Sequence, residues 1–225
     1  FLNWLMNLDN RLKRITDFIP SDSYILDVGC DHALLDIYLA LNRNNVKLIA
    51  SDINENPLKI AKENIKKYNL EDEITLEKAD GVSKINDEVD TVVIAGMGTS
   101  TINDIINNDL KKLKNVKKII ISSHTSSFEL RENMNKKGFK IIDEAVVFDK
   151  GKYYEIIVYS NGYEKLSKLD MKYGPIISKR KDEITKAYFN ERYLKLIEIY
   201  KKIPNGNKKL KDDLNKKIKE IKKFL

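Results

Sequence analysis

YILDVGCDHALL, residues 24–35, carries the clearest structural signal in this chain of 225 residues. Its first five residues form a mostly apolar run typical of a buried strand, and a helical spacing of apolar residues begins at Ala33. Between them lies Gly29, where the absence of a Cβ atom lets the backbone approach a ligand closely. Strand, glycine loop and helix in this order predict the ligand-binding first unit of a parallel α/β sheet.

The alternation of strand and helix continues outward from this stretch. Helical spacing separates further predicted strands at residues 46–51, 73–76, 89–95 and 117–122. After a helix near 127–137 that Gly138 caps, two β-rich runs follow at 139–148 and 153–159, joined by a hairpin turn at Asp149, Lys150 and Gly151. The pattern predicts an α/β fold, a doubly wound parallel sheet closed by a C-terminal antiparallel hairpin.

Composition shifts at Asn161 and Gly162, which predicts a body at 1–162 and a smaller helical domain at 163–225. Apolar residues then recur at helical spacing until Pro204, Asn205 and Gly206 interrupt the pattern, and they resume from Leu210. We expect two antiparallel helices packed as a coiled-coil hairpin. The apolar residues that carry this prediction are Ile177, Ile184, Tyr188, Leu194, Ile197, Tyr200, Leu210, Leu214, Ile218, Ile221 and Phe224.

The net charge of +7 is unevenly distributed. Residues 163–225 hold 19 basic against 9 acidic residues, whereas residues 1–162 hold 22 against 25. A basic appendage on a mildly acidic body favours a polyanionic partner such as nucleic acid, although a solvated lysine-rich helical face would have the same composition.

Other features limit the class of protein. No apolar run approaches the roughly 20 residues that cross a bilayer, and residues 1–10 lack the pattern of a secretory signal. The single cysteine, Cys30, cannot form an internal disulfide, which agrees with a reducing compartment. We therefore expect a cytoplasmic protein, and we further expect a monomer with no metal ion and no membrane contact.

The loop after the first strand places one glycine between two acids, Asp27 and Asp31. A dinucleotide site would have three glycines and a helix N-terminus facing a pyrophosphate, so an NAD-dependent oxidoreductase is disfavoured. S-adenosylmethionine carries an ammonium and a sulfonium group and no phosphate, and the two carboxylates suit its amino-acid end. Asp31 could instead only cap the following helix.

Acids also follow the next two strands. Asp52 stands 23 residues after Gly29, where a carboxylate can accept both ribose hydroxyls of an adenosine, and Ile53 could pack on the adenine face. Asp80, followed by Gly81, could accept from the adenine amino group. Acids at strand ends often only terminate the strands. The prediction therefore depends on acids occurring at the ends of three successive strands.

The fourth strand ends in IAGMGT, residues 94–99, at the edge where such sheets bind ligands. A narrow loop at Ala95, Gly96 and Met97 would let a flat nucleobase reach the methyl donor. A tight strand-to-helix turn would explain the same glycines.

Five short motifs follow one another along the chain: LDNRL at 8–12, DVGCDHALL at 27–35, ADGV at 79–82, IAGMG at 94–98 and GKYYEI at 151–156. With them the chain resembles the bacterial tRNA adenine-22 N1-methyltransferases, a class I family with a Rossmann-like sheet. The resemblance implies S-adenosylmethionine as donor, N1 of adenine 22 in the tRNA D-arm as acceptor, and a coiled-coil domain that assists tRNA binding.

The family's motifs correspond to particular positions. The resemblance assigns the donor loop to Asp27, Gly29, Asp31 and His32, the adenine contact to Asp80 and Gly81, and the IAGMG loop to residues 95–98. Two positions depart from the family pattern: Thr99 replaces a further glycine, and Ser122-Ser123-His124 replaces a Gln-Pro-Asn-like segment.

Methyl transfer to adenine N1 needs no prior deprotonation because N1 has a lone pair, so positioning could supply most of the rate. Asp31 and His32 are our candidates for stabilising the developing positive charge, although His32 could only pack at the helix start. The target base must leave its pairing partner. Tyr153 and Tyr154 could stack on it or pack within the sheet.

Two other functions stay open at this stage. The chain could methylate another RNA base with the same donor, or it could be a non-catalytic RNA-binding module built on a methyltransferase fold.

Overall fold

A computed structural model describes residues 8–204 and 206–225 of the chain. Residues 1–7 and Asn205 lie outside the described residues. They include most of the N-terminal segment predicted to lack a secretory signal and one residue of the predicted break between the C-terminal helices. No helix in the described ranges is both long and apolar enough to cross a membrane.

The strands lie close to their predicted positions: β1 (Tyr24–Val28), β2 (Lys47–Asp52), β3 (Ile74–Lys78), β4 (Thr91–Met97), β5 (Lys118–Ser123), β6 (Phe139–Asp149) and β7 (Lys152–Asn161). The helices are α1 (Asn10–Thr16), α2 (Leu34–Asn42), α3 (Glu55–Lys67), α4 (Thr99–Asn108), α5 (Leu110–Leu113), α6 (Ser127–Lys136), α7 (Lys168–Tyr173), α8 (Glu183–Lys202) and α9 (Lys208–Ile221).

These strands form one sheet in the order β3-β2-β1-β4-β5-β7-β6. The pairs from β3 to β5 are parallel, and β7 pairs antiparallel with both β5 and β6. The predicted doubly wound sheet with a closing hairpin is confirmed. The hairpin turn consists of Lys150 and Gly151, which have positive φ angles of 47° and 80° as a two-residue type I′ turn requires.

Helices cover both faces of the sheet because alternate strand residues point to opposite sides. Ile25 packs in a cluster that includes residues of α1, α2 and α3, whereas its neighbour Leu26 packs in a second cluster with residues of α4 and α6. Both side chains are fully buried. The sheet therefore lies between two apolar layers, and its carboxyl edge remains open for a site.

The C-terminal region is helical, as predicted, but its first long helix begins later than the apolar pattern indicates. Ile177 lies in a short 3₁₀ turn at Ile177–Lys179, and α8 starts at Glu183 because the Asp182 side chain caps it, accepting from the Thr185 amide at 2.9 Å. Helices α8 and α9 contact each other, yet Leu194 and Leu210 of the expected seam are exposed. Coiled-coil packing stays a prediction.

A buried polar cluster ties α6, β6 and β7 to the helical region. The Arg131 guanidinium, fully buried, donates to Glu144 at 2.8 Å and to Glu155 at 2.6 Å. Glu144 in turn accepts from the amides of Ile176 at 2.9 Å and Ile177 at 3.2 Å. A charge at this depth is tolerated only with such pairing, so the cluster fixes residues 176–177 against the hairpin.

Candidate functional site

The carboxyl ends of β1, β2, β3 and β4 surround a pocket of about 740 Å³. The structure brings every predicted donor-binding residue to this pocket, although they come from four separate strand ends. They are Asp27, Gly29, Asp31, His32, Asp52, Ile53, Asp80, Gly81, Ala95, Gly96 and Met97. The register of the parallel strands explains this convergence, because equivalent ends of parallel strands meet at one edge.

The loop after β1 has an unusual backbone that shapes the pocket floor. Gly29 has a φ of +72°, and a Cβ atom there would lie 2.2 Å from Cε of Met97. Asp31 and Ala33 also have positive φ angles, of 51° and 55°. Non-glycine residues adopt this conformation at a cost, and such outliers cluster at binding sites.

Asp31 does not cap α2, so the capping alternative is wrong. The N-cap position belongs to Ala33, with no side-chain hydrogen bond. The Asp31 carboxylate is largely exposed and lies 3.4 Å from Nε2 of His32, while the His32 carbonyl accepts from Asn64 at 3.0 Å. Both side chains line the pocket and are free to face a ligand.

Two acids of the site differ sharply in burial. Asp27 is buried, and desolvation raises its pKa from 3.8 to about 7. Asp52 is partly exposed at the end of β2, and its Oδ1 accepts from the Asn54 amide at 2.8 Å, which fixes the carboxylate at the pocket wall. Ile53 beside it is 55% exposed, an apolar side chain left uncovered where a flat ligand could pack.

The strand β4 ends in a β-bulge that opens the IAGMG loop. Ala95 pairs with Ser122 and Met97 with Ser123, so Gly96 is the extra residue. Its φ is +82°, and a Cβ there would lie 3.6 Å from Nη2 of Arg11. Bulges beside active sites re-aim the backbone, and this one leaves Gly96 exposed at the pocket beside Arg11 and His124.

Helix α1 delivers Arg11 to the pocket because it docks on the β6–β7 hairpin. Asp9 caps α1 through the Leu12 amide at 2.8 Å and pairs with Lys150 at 3.2 Å. The Asn10 amide donates to Asp149 at 3.1 Å. The LDNRL motif thus holds the helix start against the hairpin turn and points Arg11 at the IAGMG loop.

Arg11, His124 and Tyr154 form a wall beside Gly96. Nη1 of Arg11 lies 3.4 Å from Nε2 of His124, and its guanidinium lies 5.1 Å from the ring centre of Tyr154. The His124 and Tyr154 rings pack edge to face at 5.6 Å. Burial and then the Arg11 charge lower the pKa of His124, so its imidazole is neutral at pH 7.

Comparison with known proteins identifies the family of this chain. The family model described as tRNA (adenine(22)-N(1))-methyltransferase matches residues 25–223. The chain belongs to this family. The tRNA (adenine(22)-N(1))-methyltransferase of Bacillus subtilis is 29% identical over 205 residues, which cover 88% of this chain and 86% of the relative.

Solved structures give the same assignment for the whole chain. Sp1610 of Streptococcus pneumoniae, regarded as a tRNA (m1A22) methyltransferase, is 32% identical with a TM-score of 0.91 over 97% of this chain and 100% of its own. Its complex with S-adenosyl-L-methionine is 31% identical with a TM-score of 0.85, covering 96% and 98%.

The two departures from the family's motifs meet in space. The Thr99 hydroxyl lies 2.8 Å from the Ser123 hydroxyl and donates to the Ser126 carbonyl at 2.9 Å, while its amide donates to Thr125 at 2.8 Å. Thr99 is buried at the start of α4. The Thr99 side chain is therefore accommodated by hydrogen bonds within the segment that holds the other departure.

The two tyrosines of GKYYEI face opposite sides of β7. Tyr154 contacts Arg11 and His124, which line the pocket. Tyr153 instead packs against Phe148 at 4.8 Å and Tyr188 at 5.7 Å between ring centres. Tyr153 therefore packs against other aromatic side chains, as the second alternative for it predicts. Of the two tyrosines, only Tyr154 belongs to the wall beside Gly96.

Sequence reasoning missed two residues that line the pocket, Arg11 and His124, and a buried acid that lies against Asp27, Asp36. Arg11 lies within a motif that by itself gives it no role. The only signal at His124 is that it belongs to a segment that departs from the family pattern. Asp36 gave no signal, since an acid in the first turn of a helix is ordinary. Among the described residues, no group of three His, Cys, Asp or Glu side chains is placed to hold a metal ion.

Proposed function

We propose that the 740 Å³ pocket binds S-adenosylmethionine, the methyl donor, with Asp27 and the Gly29 loop at its amino-acid end. Asp52 accepts the ribose hydroxyls, Ile53 packs on the adenine, and Asp80 accepts from its amino group. As a member of its family, the protein transfers the methyl group to N1 of an adenine in tRNA, and we place that adenine at position 22 of the D-arm.

One observation carries this proposal: four strand ends bring carboxylates and an exposed apolar side chain, and no glycine-rich phosphate cradle, to one pocket. A ligand with an ammonium group, a sulfonium group and an adenosine fits that chemistry. A dinucleotide would place two phosphates among Asp27, Asp31 and Asp52, which like-charge repulsion disfavours.

We assign the acceptor adenine to the space between Gly96 and the wall of Arg11, His124 and Tyr154. The bare backbone of Gly96 admits a flat base edge-on, and the ring of Tyr154 offers a stacking surface. Arg11 and Lys150 at the same pocket supply positive charge for the phosphates of an extruded nucleotide.

The reaction requires positioning more than proton transfer. The N1 lone pair attacks the sulfonium methyl carbon in line with the departing sulfur, so no base has to act first. Positive charge then moves onto the adenine ring, and we assign its stabilisation to the exposed pair Asp31 and His32. Neutral His124 leaves the acceptor wall without an added positive charge against that ring.

We further propose that residues 163–225 form a basic helical domain that holds tRNA phosphates. Lys208, Lys209, Lys216 and Lys217 are all exposed on α9, while Leu214 and Ile221 of the same helix are buried. The charge is thus available to a polyanion. A tRNA substrate and the single buried thiol of Cys30 favour a cytoplasmic protein, and we expect a monomer in solution.

Equilibrium dialysis and a methylation assay test the proposal together. The protein is dialysed against labelled S-adenosylmethionine and, separately, against NAD, and is then incubated with unmodified tRNA transcript and labelled donor. We expect binding of the methyl donor, no binding of NAD, and label in the RNA. Donor binding without transfer to any RNA would instead support the non-catalytic module.

A further inference from the structure

Two carboxyl groups lie buried next to each other under the proposed donor pocket. Asp27 of β1 lines the pocket and is 5% exposed, and Asp36 in the first turn of α2 is 0% exposed. Within the part of the chain that the structure describes, neither oxygen of Asp36 has a hydrogen-bond partner of ordinary geometry. Buried acids are normally hydrogen-bonded or ion-paired, so this pair calls for a functional explanation.

Among residues 8–204 and 206–225, the charged groups that act on this pair are acidic. Asp36 faces Asp27 from α2, and Asp52 acts on Asp27 from the end of β2. Cys30 lies beside them, but burial raises its pKa so far that the thiol stays neutral. Two neighbouring carboxylates without a cation cannot both ionise in an apolar setting, so the pair must retain a proton.

The two acids differ in how firmly they hold that proton. Burial, and then the charge of Asp27, raise the pKa of Asp36 well above its usual range. Burial raises the pKa of Asp27 only to about 7, with Asp52 adding to the increase and interaction with the Asp36 side chain opposing it. Asp36 therefore stays protonated while Asp27 gains or loses its charge near neutral pH.

We propose that Asp36 is a positioning residue that keeps Asp27 partly protonated in the donor-free protein, so that donor binding expels the Asp27 proton. The O–H bond of Asp27 breaks, the proton passes to water, and the carboxylate pairs with the ammonium group of S-adenosylmethionine. This inference rests on the proposed donor site and adds that binding of the donor there releases a proton. The pocket thus avoids an uncompensated buried charge when it is empty.

The consequence is a donor affinity that depends on pH with a definite sign. Below pH 7 the proton on Asp27 competes with the donor, so the dissociation constant should fall about tenfold per pH unit as pH rises. Near pH 7 this dependence should level off. Above about pH 8 the donor's own α-amino group loses its charge and affinity should fall again.

Calorimetric titration of the full-length protein with S-adenosylmethionine measures the proton directly. Titrations at pH 6, 7 and 8 in two buffers of different ionisation enthalpy give the number of protons released per donor bound. We expect nearly one at pH 6 and somewhat less than half at pH 7. At pH 8 we expect a small net uptake instead, because the donor's amino group must regain its proton to pair with Asp27. The count is repeated with His32→Gln, which removes the imidazole that lines the same pocket, and the acidic limb should persist.

Two variants separate a proton-holding role from a structural one. Asp36→Asn keeps a neutral polar side chain beside Asp27, so the pH midpoint should stay near 7. Asp36→Val removes the polar side chain whose interaction lowers the pKa of Asp27, so the midpoint should move upward and the affinity for S-adenosylmethionine at pH 7 should fall several-fold. If Asp36 were ionised, Asp36→Asn would move the midpoint downward, contrary to the proposal.

The outcome that overturns the inference is donor binding with a pH-independent dissociation constant and no proton release in the wild-type protein. A variant that changes affinity by the same factor at every pH would likewise show a purely structural Asp36. No donor binding at any pH would instead contradict the proposed function, so the two failures are distinct.

Discussion

Gly29 shows how one missing side chain shapes the pocket. Gly29→Ala places a Cβ 2.2 Å from Cε of Met97 and imposes a φ of +72° on a residue that disfavours it. Because Met97 and Gly29 both line the pocket, a shift of either one alters its shape, and we expect donor affinity to fall about tenfold, or about 1.4 kcal/mol, in a calorimetric titration.

A matched control exists at the hairpin turn. Gly151 has a φ of +80°, but nothing lies within 4 Å of its would-be Cβ. Gly151→Ala should cost the same backbone strain, about 1–2 kcal/mol of stability, with unchanged donor affinity. Equal donor affinities in the two variants would show that the close approach at Gly29 does not shape the pocket.

Asp36 carries a stability prediction that is independent of ligand. Because the pKa values of Asp27 and Asp36 are raised on folding, the native state keeps protons that the unfolded chain releases. Stability from this pair is present at low pH and is lost as pH rises from about 4 through 7. Asp36→Val should therefore increase the free energy of unfolding by about 1–3 kcal/mol at pH 8, and by less at pH 5.

Urea unfolding at the two pH values measures this difference. Asp104 is an exposed acid on α4, so Asp104→Val offers a comparison for the loss of a helical acid. A gain for Asp36→Val that is equal at both pH values would show that the buried acid does not hold an extra proton.

Single residues also show where sequence reasoning reaches its limit. Asp27, Gly29 and Asp52 could be placed because strand ends of a parallel sheet converge, a rule that needs only chain order. Arg11 could not, since its position depends on α1 docking against a hairpin turn about 140 residues away. Asp36 could not, since burial of a helical acid is set by tertiary packing.

At the level of elements, the polar cluster around Arg131 joins α6, β6 and β7 to residues 176–177. Arg131→Leu would leave Glu144 and Glu155 buried without their cation, so unfolding free energy should fall by about 3–5 kcal/mol in urea. Glu132→Ala next to it breaks only an exposed pair with Lys136 and should cost about 1 kcal/mol or less. Similar decreases in both variants would contradict a stabilising role for the buried cluster.

Element boundaries were predictable where local chemistry sets them and not elsewhere. The turn at Lys150 and Gly151 follows from Gly151, which adopts a positive φ without the penalty of a Cβ atom. The end of β4 at Met97, two residues past its predicted end, follows from pairing with β5 through a bulge, which no local pattern indicates. The start of α8 is set by the Asp182 cap. The apolar spacing begins earlier, at Ile177, and therefore predicts a helix that starts too early.

At the scale of the whole molecule, the charge asymmetry predicts how tRNA binds. Reversing Lys208, Lys209, Lys216 and Lys217 to Glu alters exposed side chains and leaves Leu214 and Ile221 to pack. We expect donor affinity to stay unchanged while tRNA affinity falls steeply. The slope of log affinity against log salt should drop by about one unit for each phosphate that a lysine no longer neutralises.

The matched control reverses the same number of exposed lysines on the body, Lys59, Lys62, Lys66 and Lys67 of α3. This variant has the same net charge and should retain most of its tRNA affinity. Charge reversal is a sharper test than deleting residues 163–225, because Tyr173 and Ile177 share an apolar cluster with Val146 of the sheet. Equal decreases in tRNA affinity for both variants would argue against a phosphate-binding role specific to α9.

Methyl transfer to N1 of one adenine in tRNA is the central claim, and mapping the modified nucleotide tests it most directly. Unmodified tRNA transcript is incubated with the protein and S-adenosylmethionine, and reverse transcription then locates the product, because a methyl group on N1 blocks base pairing. We expect a single arrest at adenine 22 that disappears when this adenine is replaced by guanine. Label incorporated without that arrest, or an arrest at another nucleotide, would contradict the claim.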